Sequence, residues 1–352
     1  MARTISAALL TAQQGVSGTP YVKLKFTSKD GGTTYDYSSR LLELEHHEDP
    51  YNDYAVIRLR DDDLTVVDLT GYWVQIGYGF YTGNNVAEPN GDNAGNEYSY
   101  SSRLWVKWQS PSSAEGILRQ TLRLEGMWSV LGEYVLLLGD PPFYNEEYTT
   151  TTVYGIITAF LADVSTGTGY TFTLDALGTQ DDGIINTFLP DFTINQVAYE
   201  DVRSLINTLM EMTKCYLRAQ AGLAFKVIYP RTDDANNEEY YSYQAHFFYE
   251  YTEKVNLLIP NRVIVFAYFG EGIPLSDLIT ATVNDTTQQA RYMLVTGLYQ
   301  AALITNLTDA LNRADAILTR LKAEMLSGRL IIPHDSRVEL YDKVRVYDTR
   351  GL

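Results

Sequence analysis

The amino-acid sequence predicts an α+β protein that is mainly β, with two antiparallel β-barrels and a small α/β domain inserted between them. Short runs of alternating apolar and polar residues, separated by turn residues, fill residues 21–125. Apolar residues recur at helical spacing in the middle third, and a second region of alternating runs begins at Asn256. We therefore expect three domains, at residues 1–126, 127–255 and 256–352, in line with roughly 100 to 200 residues per domain.

The composition of the 352-residue chain argues against several classes of protein. With 45% hydrophobic residues the chain can bury cores, so it is not intrinsically disordered. The single cysteine, Cys215, excludes an intrachain disulfide, and no apolar run approaches the roughly 20 residues of a membrane span. The formal net charge of −17 argues against a protein that grips nucleic acid, because that binding needs Lys and Arg at the phosphates. An acidic wall would instead let DNA slide past.

Tyrosine is unusually frequent in this chain, with 28 residues against 12 phenylalanines. Its amphipathic ring suits a sheet surface that is half buried, or one that becomes buried against a neighbouring molecule. We therefore expect large antiparallel sheets that make contacts between subunits.

The first region is predicted to be a β-barrel preceded by a short helix. Apolar residues at helical spacing follow Thr4, a candidate cap, and Gly15 ends the pattern, so we expect a surface helix and not a signal peptide. Residues 82–102 are dense in Gly, Asn, Ser and Tyr and are predicted to form either a long exposed loop or a flexible hairpin. The predicted strands of this region are residues 21–26, 42–45, 54–59, 71–79, 104–108 and 118–124.

The middle region is predicted to be the small α/β domain. Its apolar periodicity predicts helices at residues 128–138, 153–164 and 199–213. The third helix leads into a hairpin over residues 215–229. Cys215 falls in the alternating apolar set of this hairpin, so we expect a buried thiol and not a nucleophile.

The last region is predicted to be the second β-barrel. A long helix over residues 306–327 follows its strands and delivers a closing hairpin at residues 336–348. Asn306 is the candidate cap of this helix, with Asp309 three residues later. The predicted strands are residues 262–268, 279–283 and 292–296. The predicted apolar stripe of the helix is Leu307, Leu311, Ala314, Leu318, Leu321 and Met325.

Several short motifs, and the order barrel, α/β domain, barrel, resemble the hub proteins of bacteriophage tails. The strand at residues 71–76 has the form G-x-x-V-x-I, and residues 122–126 read L-R-L-E-G shortly before Trp128. Residues 340–346 have the L-x-D-x-V-x-V form of the family's end, although Tyr341 stands where the family has glycine. The resemblance covers essentially the whole chain, and it implies that both barrels are tail-tube-like.

The same resemblance implies a structural role at the tail tip or baseplate of a phage or phage-like particle. Three copies would form a homotrimeric ring that joins the six-fold tail tube, or a distal tail protein, to a three-fold spike or fibre. The ring would seal the channel and open it for genome delivery, so the tape-measure protein and DNA would pass through without specific binding. The protein would be made in the host bacterial cytoplasm and would reside in the virion.

No catalytic, cofactor-binding or metal-ligating site is predicted. The adjacent His46 and His47 would point to opposite faces of a strand and are expected to be exposed at its end, and no metal-binding spacing accompanies them. The candidate channel-facing residues are the acidic run Asp61, Asp62 and Asp63. We expect no enzymatic activity in this chain, because its carboxylate pairs lie in polar segments.

An alternative function is a multidomain β protein of a virion or cell surface that binds carbohydrate. Trp73, Trp105, Trp108 and the tyrosine-rich residues 98–100 would then be stacking platforms for sugar rings. Trp105 and Trp108 fall on opposite faces of one strand, so at most one of them is free to stack.

Overall fold

A computed structural model gives the fold for residues 3–15, 18–114, 116–136, 145–178, 181–195, 200–231, 233–243, 247–253, 258–267, 274–301, 304–325 and 328–349. These residues form an α+β protein that is mainly β, as predicted. Its largest element is a seven-stranded antiparallel sheet. None of the helices within the described residues is long and apolar enough to cross a membrane.

The secondary structure elements are numbered in chain order. The helices are α1 (Ala7–Gln14), α2 (Met127–Glu133), α3 (Val153–Thr168), α4 (Val202–Met210), α5 (Thr286–Arg291) and α6 (Leu307–Met325). The strands up to residue 195 are β1 (Pro20–Thr27), β2 (Thr34–Asp36), β3 (Leu41–Asp49), β4 (Asn52–Arg60), β5 (Trp73–Asn84), β6 (Gly95–Ala114), β7 (Ile117–Gly126), β8 (Asn145–Tyr148), β9 (Thr173–Leu174) and β10 (Phe192–Asn195). The later strands are β11 (Tyr216–Ala219), β12 (Ala224–Ile228), β13 (Glu238–Tyr241), β14 (Glu250–Glu253), β15 (Arg262–Ala267), β16 (Ile279–Asn284), β17 (Thr296–Ala301), β18 (Gly328–Ile331) and β19 (Val344–Tyr347).

The seven-stranded sheet has the order β2-β1-β5-β6-β7-β4-β3, and its neighbouring strands are antiparallel. Strands β2 and β3 lie at its two edges and are not paired with each other, so no closed barrel is found among the described residues. Alternation along the strands places apolar residues on one face, where they form a core of their own. Members of this core include Leu24, Ile57, Val74, Leu104 and Leu122.

Of the two structures predicted for residues 82–102, a long exposed loop or a hairpin, the hairpin is formed, because β5 and β6 pair antiparallel through most of this segment. Gly79 pairs with Tyr98, and a side chain at Gly79 would overlap the Glu97 carbonyl group. Glycine therefore lets the two backbones approach closely, and the Tyr98 ring is buried. High contents of Gly, Ser and Tyr suit this close pairing as well as they suit a loop.

Three helices differ in their bounds from the predictions, two of them because of capping. Helix α1 begins after Ser6, whose side chain accepts a hydrogen bond from the Leu9 N–H, so Ser6 and not Thr4 is the cap. Asp201 caps α4 by accepting from the Ser204 N–H at 2.9 Å, and it is therefore not within the helix. Helix α2 ends at Glu133, so residues 134–136 of the predicted helix at 128–138 are not helical, and residues 137–138 lie outside the described residues.

Helices α2, α3 and α4 pack with the small sheet β11-β12-β9 in a large second core. The predicted helix in residues 153–164 is confirmed and extends to Thr168, where Gly169 adopts the left-handed conformation that ends it. The predicted hairpin is confirmed as antiparallel β11 and β12. Cys215 is buried, and its burial raises the pKa of the thiol, as its predicted structural role requires.

The sheet β16-β15-β17 is packed against α6 on one face. The predicted strand at residues 292–296 is wrong, since α5 ends at Arg291 and β17 begins at Thr296. Asn306 caps α6 as predicted, because its side-chain oxygen accepts from the Asp309 N–H at 2.9 Å. The buried face of α6 is rotated from the predicted stripe: Leu307 and Leu311 are exposed. Its buried positions include Ala310, Arg313, Ala314, Ile317 and Leu318.

The predicted closing hairpin at residues 336–348 is not formed. Strand β19 pairs in parallel with β13, and β18 pairs antiparallel with β14. The segment before β19 does not form a strand, because Glu339 is buried facing an arginine and Tyr341 has a positive φ of 70°. These pairings join strands on both sides of residue 255, where a domain boundary is predicted.

Candidate assembly surface

An exposed apolar surface lies beside the sheet β16-β15-β17. It consists of Tyr292, Met293, Leu294 and Leu298, and we call it the apolar ridge. Met293 is 70% exposed and Leu298 is 64% exposed. Because exposed apolar side chains that lie together mark interaction sites more often than scattered ones do, the ridge is the leading candidate for contact with another protein.

A buried asparagine holds the ridge in place. The Asn261 side-chain amide donates to the Met293 carbonyl at 2.9 Å, and its oxygen accepts from the Val295 N–H at 3.0 Å. The Asn261 carbonyl accepts from the side-chain amide of Gln289 in α5 at 2.9 Å. These hydrogen bonds give the backbone of the segment its partners on the inner side, so the side chains of the ridge point towards solvent.

The two outer strands of this sheet carry no charge. Residues 279–284 and 292–301 contain no Asp, Glu, Lys, Arg or Pro, although 20% of the chain is charged. Within the described residues, β16 and β17 each pair only with β15, so both present an open edge. Natural edge strands are usually protected by charge or proline, and unprotected edges pair with other strands.

The predicted channel-facing carboxylates lie together in the turn after β4. Asp61 is buried, and its oxygens accept from the Val66 N–H at 2.9 Å and from the Gln120 side-chain amide at 2.8 Å. Asp63 binds Arg40 through both oxygens, at 2.7 and 2.8 Å. This pairing holds the pKa of Asp63 well below its usual range. All three residues thus take part in turn structure, and Asp62 and Asp63 also face solvent.

The candidate carbohydrate platform is largely covered. Trp105 is buried in the second core. Tyr98 is also buried, and its hydroxyl donates to the Gly91 carbonyl at 2.7 Å. The guanidinium of Arg103 lies 3.9 Å from the centroid of the Trp73 ring. Trp108 is exposed, which agrees with the prediction that at most one of the pair in this strand is free.

The two adjacent histidines differ in their surroundings. His47 is exposed as predicted and stacks on Tyr54, but the His46 side chain is only 7% exposed, so the prediction for His46 is wrong. His46 Nδ1 lies 2.7 Å from the Tyr78 hydroxyl in a cavity of about 360 Å³ that His334 also lines. Burial, with Arg3 nearby, lowers the pKa of His46 to about 4. Across the described residues, no three His, Cys, Asp or Glu side chains converge as metal ligands.

The fold of this chain is similar to that of several tail proteins of known structure. A tail protein from Neisseria meningitidis MC58 superposes with a TM-score of 0.61 at 12% sequence identity, over 95% of this chain and 88% of that one. The 43 kDa tail protein of prophage MuSo2 from Shewanella oneidensis gives a TM-score of 0.52 at 11% identity, over 84% and 77%. A prophage tail protein from Listeria monocytogenes EGD-e gives 0.52 at 9% identity, over 84% and 76%. This chain has their fold. No protein-family model and no curated protein sequence matches it.

In this tail-protein fold, a buried cluster of charges joins distant parts of the chain. Arg218 in β11 is 3% exposed and pairs with Glu339 at 2.9 Å and with Asp342 at 3.0 Å. Arg3 near the N-terminus also binds Glu339, at 2.9 Å. Sequence reasoning missed this cluster, because nothing in the local pattern of an isolated Arg or Glu marks a partner more than 100 residues away.

A second buried carboxyl, Asp53 in β4, lies at the beginning of α2. Its side chain accepts from the Ser102 hydroxyl at 3.1 Å, and burial raises its pKa to about 7. The carboxyl group occupies the space that a side chain at Gly126 would fill. Burial, with the negative charge of Glu48 nearby, therefore accounts for the raised pKa of Asp53.

Proposed function

We propose that this chain is the structural hub protein of a phage tail or phage-like particle, located at the tail tip or baseplate. The observation that carries the proposal is the fold shared with a tail protein over 95% of this chain. Fold alone does not fix function, but the uncharged sheet edges and the apolar ridge are the features that an assembly subunit needs.

In this proposal, three copies form a ring. Each chain supplies two tail-tube-like β regions, so a three-fold ring offers six positions to the six-fold tail tube. The barrels close only on assembly, which fits a seven-stranded sheet whose edges β2 and β3 stay apart within one chain. The ring thereby adapts a six-fold tube or distal tail protein to a three-fold spike or fibre.

The proposed mechanism is mechanical and involves no enzymatic step. The ring seals the tube, and on triggering it lets the tape-measure protein and then DNA leave through the channel. With a net charge of −17, the chain is suited to an acidic channel wall that repels phosphate. We propose that Asp62 and Asp63 face this channel and that Asp61 supports their turn. A map of the assembled ring with a basic or neutral channel would refute this part alone.

Light scattering over a concentration series, followed by imaging of the oligomer, tests the hub proposal. We expect a particle of three times the 39.7 kDa of one chain, with a three-fold ring and a central hole. If the isolated chain is monomeric, the same measurement is repeated with the tail tube protein, because some rings assemble only when a partner protein is present. A monomer in both conditions, together with specific binding to a glycan array, would overturn the proposal in favour of carbohydrate binding.

A further inference from the structure

We propose that β17 of one copy pairs antiparallel with β16 of a second copy, so that the sheet β16-β15-β17 continues from chain to chain. This inference rests on the proposed function, because it names the surface through which copies of the hub contact each other. The inference gives each open edge of the sheet β16-β15-β17 a strand to pair with, and it gives the apolar ridge a role in the contact.

Strand direction supports a junction between β17 and β16. Strand β16 runs antiparallel to β15, and β17 runs parallel to it. When copies follow one another around a rotation axis, the β17 edge of one copy meets the β16 edge of the next in antiparallel orientation. Antiparallel neighbours form the more stable hydrogen-bond ladder, so each copy supplies the edge that the next one needs.

The side chains along the two edges are also compatible. Ile264 in β15 is in register with Thr282 on one side and with Leu298 on the other, so all three side chains point to the same face. Thr282 and Leu298 are exposed. At the junction, Leu298 would lie on the methyl groups of threonines from the neighbouring β16, and apolar area would leave water.

Charge distinguishes these edges from the two edges of the seven-stranded sheet. The edge strand β3 contains Glu43, Glu45, Glu48 and Asp49, so two copies of it would repel each other. The other edge, β2, is three residues long and ends in Asp36. Strands β16 and β17 have no charge, so they can desolvate against each other without leaving an unpaired ion.

The contact is head-to-tail, since it joins two different edges. A head-to-tail contact generates a closed ring when its rotation closes. The other residues of the apolar ridge lie directly before β17, so pairing would also bring Met293 and Leu294 against the neighbouring chain. This accounts for the rigid support that Asn261 gives to the ridge.

A charge placed in the edge tests the pairing. In the full chain, Leu298→Lys would put an ammonium group at the junction opposite uncharged side chains, and we expect the dissociation constant of the oligomer to rise by about tenfold or more. The matched control is Leu64→Lys, because Leu64 is 75% exposed and lies outside this sheet. Circular dichroism of both variants checks that they fold. Equal oligomer masses for the two variants would contradict the pairing.

Cross-linking between copies provides the second test, because the native Cys215 is buried and does not interfere. Copies with Leu298→Cys are mixed under oxidising conditions with copies carrying Thr280→Cys, Thr282→Cys or Asn284→Cys. One of these pairs is expected to form a disulfide-linked dimer, and Leu64→Cys with Thr282→Cys is expected to form none. A ring that persists without any such cross-link would overturn the edge pairing and leave the hub proposal intact. A chain that stays monomeric and unlinked at high concentration would overturn the pairing, and the hub proposal would then depend on assembly with the tail tube protein.

Discussion

Two buried ionisable residues in neighbouring strands have pKa values shifted in opposite senses by the same cause. Burial lowers the pKa of His46 in β3 to about 4, and it raises the pKa of Asp53 in β4 to about 7. In both cases burial disfavours the charged form, and a nearby like charge, Arg3 for His46 and Glu48 for Asp53, adds to the effect. Both residues therefore make the free energy of unfolding depend on pH.

The variant His46→Gln is expected to remove part of the acid sensitivity. The unfolded chain, with a histidine pKa near 6.5, binds a proton that the folded chain takes up only near pH 4. The contribution of His46 to the free energy of unfolding is therefore complete above pH 6.5. It falls by roughly 3 kcal/mol as the pH is lowered to 4. Urea unfolding at pH 4.5, 5.5 and 6.5 measures the difference between wild type and variant.

The neighbouring exposed histidine supplies the control for this measurement. A pH-dependent difference that is larger for His47→Gln than for His46→Gln would contradict the assignment to burial.

For Asp53→Asn the expected pH dependence of stability has the opposite sign. The folded Asp53 binds its proton up to about pH 7, so wild type is expected to lose stability relative to this variant as the pH rises from 3.8 to 7.

Gly126 is expected to be intolerant of any side chain, although it is not in a left-handed conformation. Its φ is −93°, but a methyl group there would overlap the Asp53 carboxyl group. We expect Gly126→Ala to lower the free energy of unfolding by about 1 to 3 kcal/mol. In the double variant with Asp53→Ala, the overlap is gone, so the two effects should be less than additive in a double-mutant cycle. Strict additivity would show that the carboxyl group moves aside without cost.

At the scale of elements, the segment that precedes β19 is held by charges where a hairpin was expected. Glu339 and Asp342 pair with Arg218, and Arg337 pairs with Glu238 in β13 at 2.6 Å. Strand β19 then adds a short parallel ladder to β13. Ion pairs thus hold the segment before β19, and a β-sheet ladder holds β19 itself.

The variant Arg218→Met is expected to destabilise the protein by about 3 to 5 kcal/mol, because it leaves two carboxyl groups buried without their cation. Arg123→Met is the control, since Arg123 is 64% exposed and lies 3.9 Å from its acidic partner; a change of about 0.5 kcal/mol or less is expected there. Adding Glu339→Gln and Asp342→Asn to Arg218→Met should restore part of the loss. Equal effects of the two arginine variants in urea unfolding would contradict this account.

At the scale of the whole molecule, one core crosses the predicted domain boundaries. It includes Trp105 from the first predicted region, Phe160 from the second and Leu318 from the third. Strand pairs β13-β19 and β14-β18 also connect the second and third regions. A shared core of this kind couples the unfolding of the regions that contribute to it.

We therefore expect a single cooperative transition in scanning calorimetry, with equal calorimetric and van't Hoff enthalpies. The measurement needs a concentration series, because oligomer formation raises the transition temperature by mass action. Two or three separate transitions, each reproduced by a fragment ending near residue 126 or 255, would instead establish the predicted domains as independent units.

The sequence by itself determined the mainly β α+β class and the elements that depend on local patterns. The helix at α3, the hairpin of β11 and β12 and the Asn306 cap follow from periodicity, turn residues and capping chemistry within a few residues. The burial of Cys215 follows from its place in an alternating strand in the same way.

Only the tertiary structure decided which faces are buried and which strands pair. The rotation of α6, the exposure of Leu307 and the apolar ridge depend on the sheet against which the helix packs. The parallel pairing of β19 with β13 and the burial of Arg218 depend on contacts between residues about 100 positions apart. Such contacts are selected by the global minimum of packing and desolvation energy, and no local periodicity encodes them.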